Sequence, residues 1–430
     1  MRKPMPTLAA VVSVLILVAV FAPASGAGKL SLWRLKTYIP PADKILDANA
    51  QECAKKVGVE LAIQTYTFDD MWTKFTAAIE AKTLPDIAEL DAVGPARLAN
   101  LGRLFDVSDI VAAVSREQGT VLPNAEGAVK FGGKYYAVPH YAIPLLLFYR
   151  KDLLTKVGAE PPDTWEEINA VSDKVKKAGI QEFPHGFPWN RTGDGYDPAM
   201  SLLWSYGAAW VDKSGKFVGI PKGPATDAIK LVTKPYLQDK TAAFDYLSWS
   251  GSTNNESFMA GNITFTPNGP SILFQEDSTQ HPLRKDTAIK VMPKGPAGRN
   301  LALTFVMNWA IPVDGKAQKD AKAVVSCIMS RESFTRYVNG SFHQAVPLFG
   351  KLLESDYWNT PDGKVIVDTV KMGHPVGWPG PTTPAAAEVI SSNVLTDMIT
   401  RVIVDKASPE TAIDEANKRI KEIYDRLAVK

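Results

Sequence analysis

Five histidines, two cysteines and ten tryptophans are the residues of this 430-residue chain least replaceable in chemistry. The histidines, His140, His185, His281, His343 and His374, share no metal-ligand spacing. Neither Cys53 nor Cys327 has a histidine near it in sequence, and no C-x-x-C occurs. H-E-x-x-H, G-x-S-x-G and the phosphate-cradling P-loop are all missing, and "GDGYDP" is only half of a glycine-rich fingerprint with no strand before it. Metal, cofactor and nucleophile chemistry therefore have no carrier in these motifs, and neither metal nor cofactor is expected. Carboxylates are plentiful at 46, so a pair flanking a glycosidic bond stays open.

The elements that must position any site read as alternating strands and helices. "KLSLWRL" alternates apolar residues with period two and predicts a strand. A helix over 42–57 ends at Gly58, and "VELAIQTYT" is the next strand. Asp69 or Asp70 is the expected cap of a helix running to Lys82. "PDIAEL" is a third strand, with a short helix at 96–102. This alternation argues for a parallel, doubly wound α/β sheet. Further on, "LLLFY" reads as one continuous apolar strand, and Thr164 with Glu167 forms a capping box. A helix is expected from about Pro198, "TPDGKVIV" as a turn, and a terminal amphipathic helix capped by Ser408.

Length alone favours two domains. A content of 45% hydrophobic and 22% charged residues is ordinary for a soluble globular protein. Arg2 and Lys3, the apolar run 8–21 and the small residues of "APASGAG" read as an export signal over 1–27, cut after Ala27. The run is short for a span of ~20 residues. No cysteine precedes Cys53, so a free mature protein outside the cytoplasm is expected, without a lipid anchor. Losing Arg2 and Lys3 makes basic and acidic totals equal, which suits neither nucleic acid nor anionic membranes. The two cysteines sit on apolar stripes of predicted helices and read as buried free thiols, a single disulfide being the alternative.

In chain order, the segments "LSLWRL", "AAIEAKTLPDIAELD", "GKYYAVPHYAIPLLLFYRKDLLTKVGAEPPDTWEEI", "SFMAGNITFTPNGP", "NWAIP" and "VLTDMITRVIVDKASPETAIDEANKRI" carry a resemblance. The chain resembles the bacterial extracellular solute-binding proteins that include maltose- and other sugar-binding components of ABC importers. The likeness spans nearly the whole mature chain. It departs at "TPNGP", which lacks the Trp common in sugar binders, and at Arg150, where Asn is common. The resemblance implies two α/β lobes of the periplasmic binding protein fold joined by crossing strands. One lobe would be residues 28–143 with 304–352, the other 144–303 with 353–430. "LLLF" would carry the chain between lobes, with His140 and Tyr141 where it meets the cleft.

On that footing the expected function is capture of a small solute, a sugar or oligosaccharide, and its delivery to ABC permease subunits by a monomer. Indole faces suit the apolar face of a sugar. Trp189, Trp309 and Trp378, in loops or strand ends, are the candidate platforms, whereas Trp165, Trp204 and Trp210 fall on helices as core. Asp91 ends the third strand and either meets ligand or caps the next helix. Asn268 and Asn308, at strand ends, either bind hydroxyls or serve turns. Lys36 and Tyr38 follow the first strand at the same edge. A secreted hydrolase using a carboxylate pair is the alternative class.

Overall fold

A computed structural model describes residues 28–428, without the side chains of residues 69 and 70. The expected export signal, 1–27, lies outside the described residues.

The strands, in chain order, are β1 (Gly28–Leu35), β2 (Val59–Tyr66), β3 (Ile87–Leu90), β4 (Lys130–Phe131), β5 (Lys134–Tyr135), β6 (Val138–Pro144), β7 (Leu146–Arg150), β8 (Phe265–Asn268), β9 (Thr287–Val291), β10 (Thr304–Ala310) and β11 (Val346–Pro347). Six form one sheet in the order β11-β6-β10-β3-β1-β2. Within it β1 pairs parallel with β2 and β3, the doubly wound part, while β10 enters antiparallel between β3 and β6. A second sheet, β8-β7-β9, is antiparallel throughout. The two sheets are the centres of two lobes.

The chain passes from the first sheet to the second at Leu145, between β6 and β7. This corrects the reading of "LLLF" as a strand that itself spans the lobes. The apolar run is β7, buried at all five residues inside the second lobe, and the residue that crosses is the one after Pro144. Pro144 cannot donate to a ladder, which suits the end of a strand.

Local signals explain most element ends. Thr164 and Glu167 form the capping box that starts the helix Trp165–Lys177. At the helix Phe68–Ala81 the cap is Thr67, whose Oγ1 accepts from the Asp70 amide, rather than Asp69 or Asp70. The stretch expected as a turn at "TPDGKVIV" is the helix Pro361–Met372, with Thr360 as cap and proline at its first position, a recognised helix start. The helix expected from Pro198 begins earlier, Gly193–Ser205, with Pro198 inside it.

Cys53 and Cys327 are joined in a disulfide, which overturns the free-thiol reading. The helices Pro40–Val57 and Gln318–Ile328 pack together and bring the two Cα atoms to 5.6 Å across a sequence separation of 274. Apolar neighbours along each helix show burial but not which distant helix lies opposite. Among the described residues no helix is long and apolar enough to cross a membrane.

Candidate functional site

Between the lobes lies a cavity of about 410 Å³, within the range of small-molecule sites. The first lobe lines it with Tyr38, Trp72, Asp91, Ile143, Phe305 and Gln344, the second with residues 191–194, Tyr196, Asp197, Gly251, Asn268 and Ser271.

On the first-lobe side the loop after β1 is tied down from below. Buried Arg34 pairs with Asp43 at 3.0 Å and with Asp47 at 2.6 Å, and the Thr37 amide donates to Asp43 Oδ1 at 3.1 Å. That fixes the turn presenting Tyr38. Asp91 leaves the carboxyl end of β3, where open α/β sheets meet their ligands. Its Oδ2 accepts from Trp72 Nε1 at 2.8 Å, and its Oδ1 accepts from the amides of Val93 at 3.2 Å and Gly94 at 2.9 Å. Asp91 thus holds the start of the helix Gly94–Asn100 and orients an indole at the cavity wall. Burial raises its carboxyl above the usual range, opposed by the Trp72 and Gly94 hydrogen bonds and by nearby Arg97. The Arg97 guanidinium lies 4.0 Å from the centre of the Trp72 ring.

On the second-lobe side, the helix Gly193–Ser205 brings its first turn to the cavity. Asn190 secures the approach: its Nδ2 donates to Trp249 O at 2.7 Å, and its Oδ1 accepts from the Thr192 amide and hydroxyl. Gly195 packs so tightly on Asn190 that a Cβ there would lie 2.1 Å from the Asn190 carbonyl oxygen. Asp194 and Asp197, one turn apart, both face the cavity. Burial first, then the charge of Asp194, pushes the Asp197 carboxyl well above its ordinary value. Asn268 donates to Asn255 Oδ1 and accepts from the Gly269 amide at 2.7 Å.

Of the ten residues singled out in the sequence, the structure brings Tyr38, Asp91 and Asn268 together on the cavity. The others lie elsewhere. His140 and Tyr141 are wholly buried in β6, where Phe334 and Tyr337 pack against the His140 ring and Tyr337 also meets Tyr141. The His140 ring stacks on Tyr337 at 5.2 Å and lies 5.1 Å from Trp309, and burial lowers its pKa against the opposing pull of Glu89. Asn308 and Trp309 lie near the end of β10, as expected, but both are wholly buried; Asn308 Nδ2 donates to Asp91 O at 3.1 Å. Trp189 is buried against Phe187, with ring centres 5.6 Å apart. Trp378, half-buried, packs back on its own lobe, stacked on His374 at 4.6 Å and edge-on to Trp204. Lys36 is exposed, its amide bonded to Tyr66 O, and lies off the cavity.

Trp72, Asp197 and Gln344 were missed. Trp72 sits in a helical repeat and so reads as core. For Asp197, a helix start at Thr192 with Asp194 in the first turn was the available signal. Nothing local marks Gln344. Among the described residues no group of histidine, cysteine and carboxylates could hold a metal ion.

Residues 48–362 match the sequence profile of the bacterial extracellular solute-binding proteins. The chain belongs to that family. It is a solute-binding protein, acting outside the cytoplasm and holding a ligand rather than converting it, so the hydrolase alternative has no support. A probable ABC transporter-binding protein of Deinococcus radiodurans is 26% identical over 290 residues, 63% of this chain and 67% of that one. A maltotriose-binding protein of Pyrococcus abyssi is 23% identical over 57% of this chain and 50% of its own length. These alignments thus span half to two thirds of the relatives' length. Maltose-bound MalE3 of T. maritima superposes with a TM-score of 0.80 at 21% identity, covering 92% of this chain and 100% of that one. This likeness shows the two-lobed fold.

Proposed function

We propose that this solute-binding protein captures a saccharide in the interlobe cavity and delivers it to the permease subunits of an ABC importer. The observation that carries the reading is the cavity itself: an indole beside a hydrogen-bonded carboxylate, Trp72 with Asp91, faces polar groups of the other lobe. An aromatic face with acceptors around it suits the mixed apolar and hydroxyl surface of a sugar. The maltotriose-binding relative and the maltose-bound structural neighbour support the same class.

The lobes comprise residues 28–143 with 304–352, and 144–303 with 353–430. The protein is exported with cleavage after Ala27 and works as a free monomer, with no nucleic-acid partner. A disulfide fits an oxidising compartment.

Thermal melting of the mature protein against mono- and oligosaccharides tests the reading. A cognate saccharide at a hundredfold excess over its Kd should stabilise the protein by about 2.7 kcal/mol. If no saccharide raises the melting temperature, the proposal fails.

A further inference from the structure

On the first-lobe wall of the cavity, hydrogen bonds within the protein already engage most of the polar groups. Trp72 Nε1 donates to Asp91 Oδ2, and Asp91 Oδ1 accepts from the Val93 and Gly94 amides. Tyr38 approaches Gly251 of the other lobe. Gln344 is different. It lines the cavity, is only 6% exposed, and its Oε1 accepts no hydrogen bond among the described residues. A buried carbonyl oxygen left unmatched is destabilising, so a filled site is expected to bring it a donor.

The backbone delivers this side chain from a fixed point. Phe342 and His343, directly before it, have φ of 52° and 66°, a left-handed conformation that non-glycine residues seldom adopt twice in succession. The His343 N–H donates to the Tyr357 hydroxyl at 2.9 Å, and the His343 ring stacks on Tyr357 with centres 4.5 Å apart. The backbone N–H of Gln344 donates to Ser341 O at 3.0 Å. Beside the carboxamide stands Gly269 of the second lobe, where a Cβ would lie 3.7 Å from both Oε1 and Nε2 of Gln344 and 2.9 Å from Ile143 Cγ2. Glycine at that position leaves room next to the carboxamide.

We infer that the Gln344 carboxamide is the first lobe's hydrogen-bonding contact with the bound saccharide and reads one of its hydroxyls, while Asp91 acts on the solute through Trp72; this deepens the saccharide reading above and rests on it. A hydroxyl both donates and accepts, as the carboxamide does. A site that presents a buried hydrogen-bonding group rejects a solute lacking the matching one. Gln344 is on this ground a specificity-determining residue, and Asp91 a positioning residue.

Calorimetry on the mature protein tests this with glucose, galactose, mannose, maltose, cellobiose and laminaribiose, and then with the monodeoxy derivatives of the tightest binder. The wild-type protein should bind at least one monodeoxy derivative about tenfold or more weaker than the parent sugar. Gln344→Met, which keeps the length and removes the hydrogen-bonding groups, should weaken the parent by a similar factor and bind that derivative within about twofold of the parent. Asp91→Asn should instead weaken the parent and every derivative by one common factor. Melting curves establish that the variants fold, with Gln344→Leu as a second removal of the carboxamide. Wild-type affinity indifferent to every deoxygenation would overturn the inference and leave the saccharide reading intact. So would carboxamide-free variants that bind the parent unchanged, or that lose the same factor for the parent and all derivatives. Failure of all these sugars to bind would also overturn it, and the saccharide reading falls with it only if a wider saccharide screen finds no ligand.

Discussion

Trp378, the expected platform, and Trp72, not singled out in the sequence, show how little loop or helix context alone says about an indole. A tryptophan in a Gly/Pro-rich loop looks free to meet ligand, and one in a helical repeat looks like core. In space, Trp378 covers Trp204 and His374, whereas Trp72 lines the cavity with its Nε1 held by Asp91. Trp72→Ala is expected to weaken saccharide binding by about 1–3 kcal/mol, the loss of one buried aromatic contact area. Trp378→Ala should lower unliganded stability by a similar amount, about 1–3 kcal/mol, and leave affinity alone. Calorimetry and melting on both variants read the two effects apart. The reverse pattern would restore Trp378 as the platform. Asp91 was legible because a carboxylate ending a parallel strand has few other places to be. His140, Tyr141 and Trp309 were not, since nothing local to either strand shows that β6 and β10 pair or that Phe334 and Tyr337 pack over them.

At the scale of elements, two contacts between distant segments carry predictions. Tyr38 of the first lobe reaches across to Gly251 of the second; a Cβ on Gly251 would lie 2.6 Å from the tyrosine oxygen. Gly251→Ala should hinder closure of the lobes and weaken ligand binding by about 1–3 kcal/mol, the usual cost of overpacking. Adding Tyr38→Phe removes the clashing oxygen and should recover most of the loss in titration calorimetry. An alanine variant with unchanged affinity would show that binding does not need this approach. The second contact is the disulfide between helices Pro40–Val57 and Gln318–Ile328. Replacing both cysteines with serine should cost about 2–5 kcal/mol of stability by denaturant unfolding. Neither cysteine lines the cavity, so saccharide affinity should hold. Helices with their own caps, such as Trp165–Lys177, were readable from a few residues. The start at Gly193 was masked because Pro198 looks like a first helical residue, and that shift hid Asp197 from the site.

For the whole molecule, alternation of strand and helix revealed β1, β2 and β3 because each of those units is local in sequence. The insertion of β10 between β3 and β6 depends on pairing between segments far apart in the chain and leaves no local trace. The cavity inherits that difficulty, since its two walls are built from segments that meet only once both sheets have formed. The role proposed for the cavity is to hold one saccharide and release it unaltered. Native mass spectrometry of the mature protein, incubated with the saccharide that most raises its melting temperature, tests this most directly. The account predicts a single added mass per chain equal to the intact saccharide, with the same sugar recovered on denaturation. A chain that carries no added mass, or a saccharide returned in cleaved form, would contradict it.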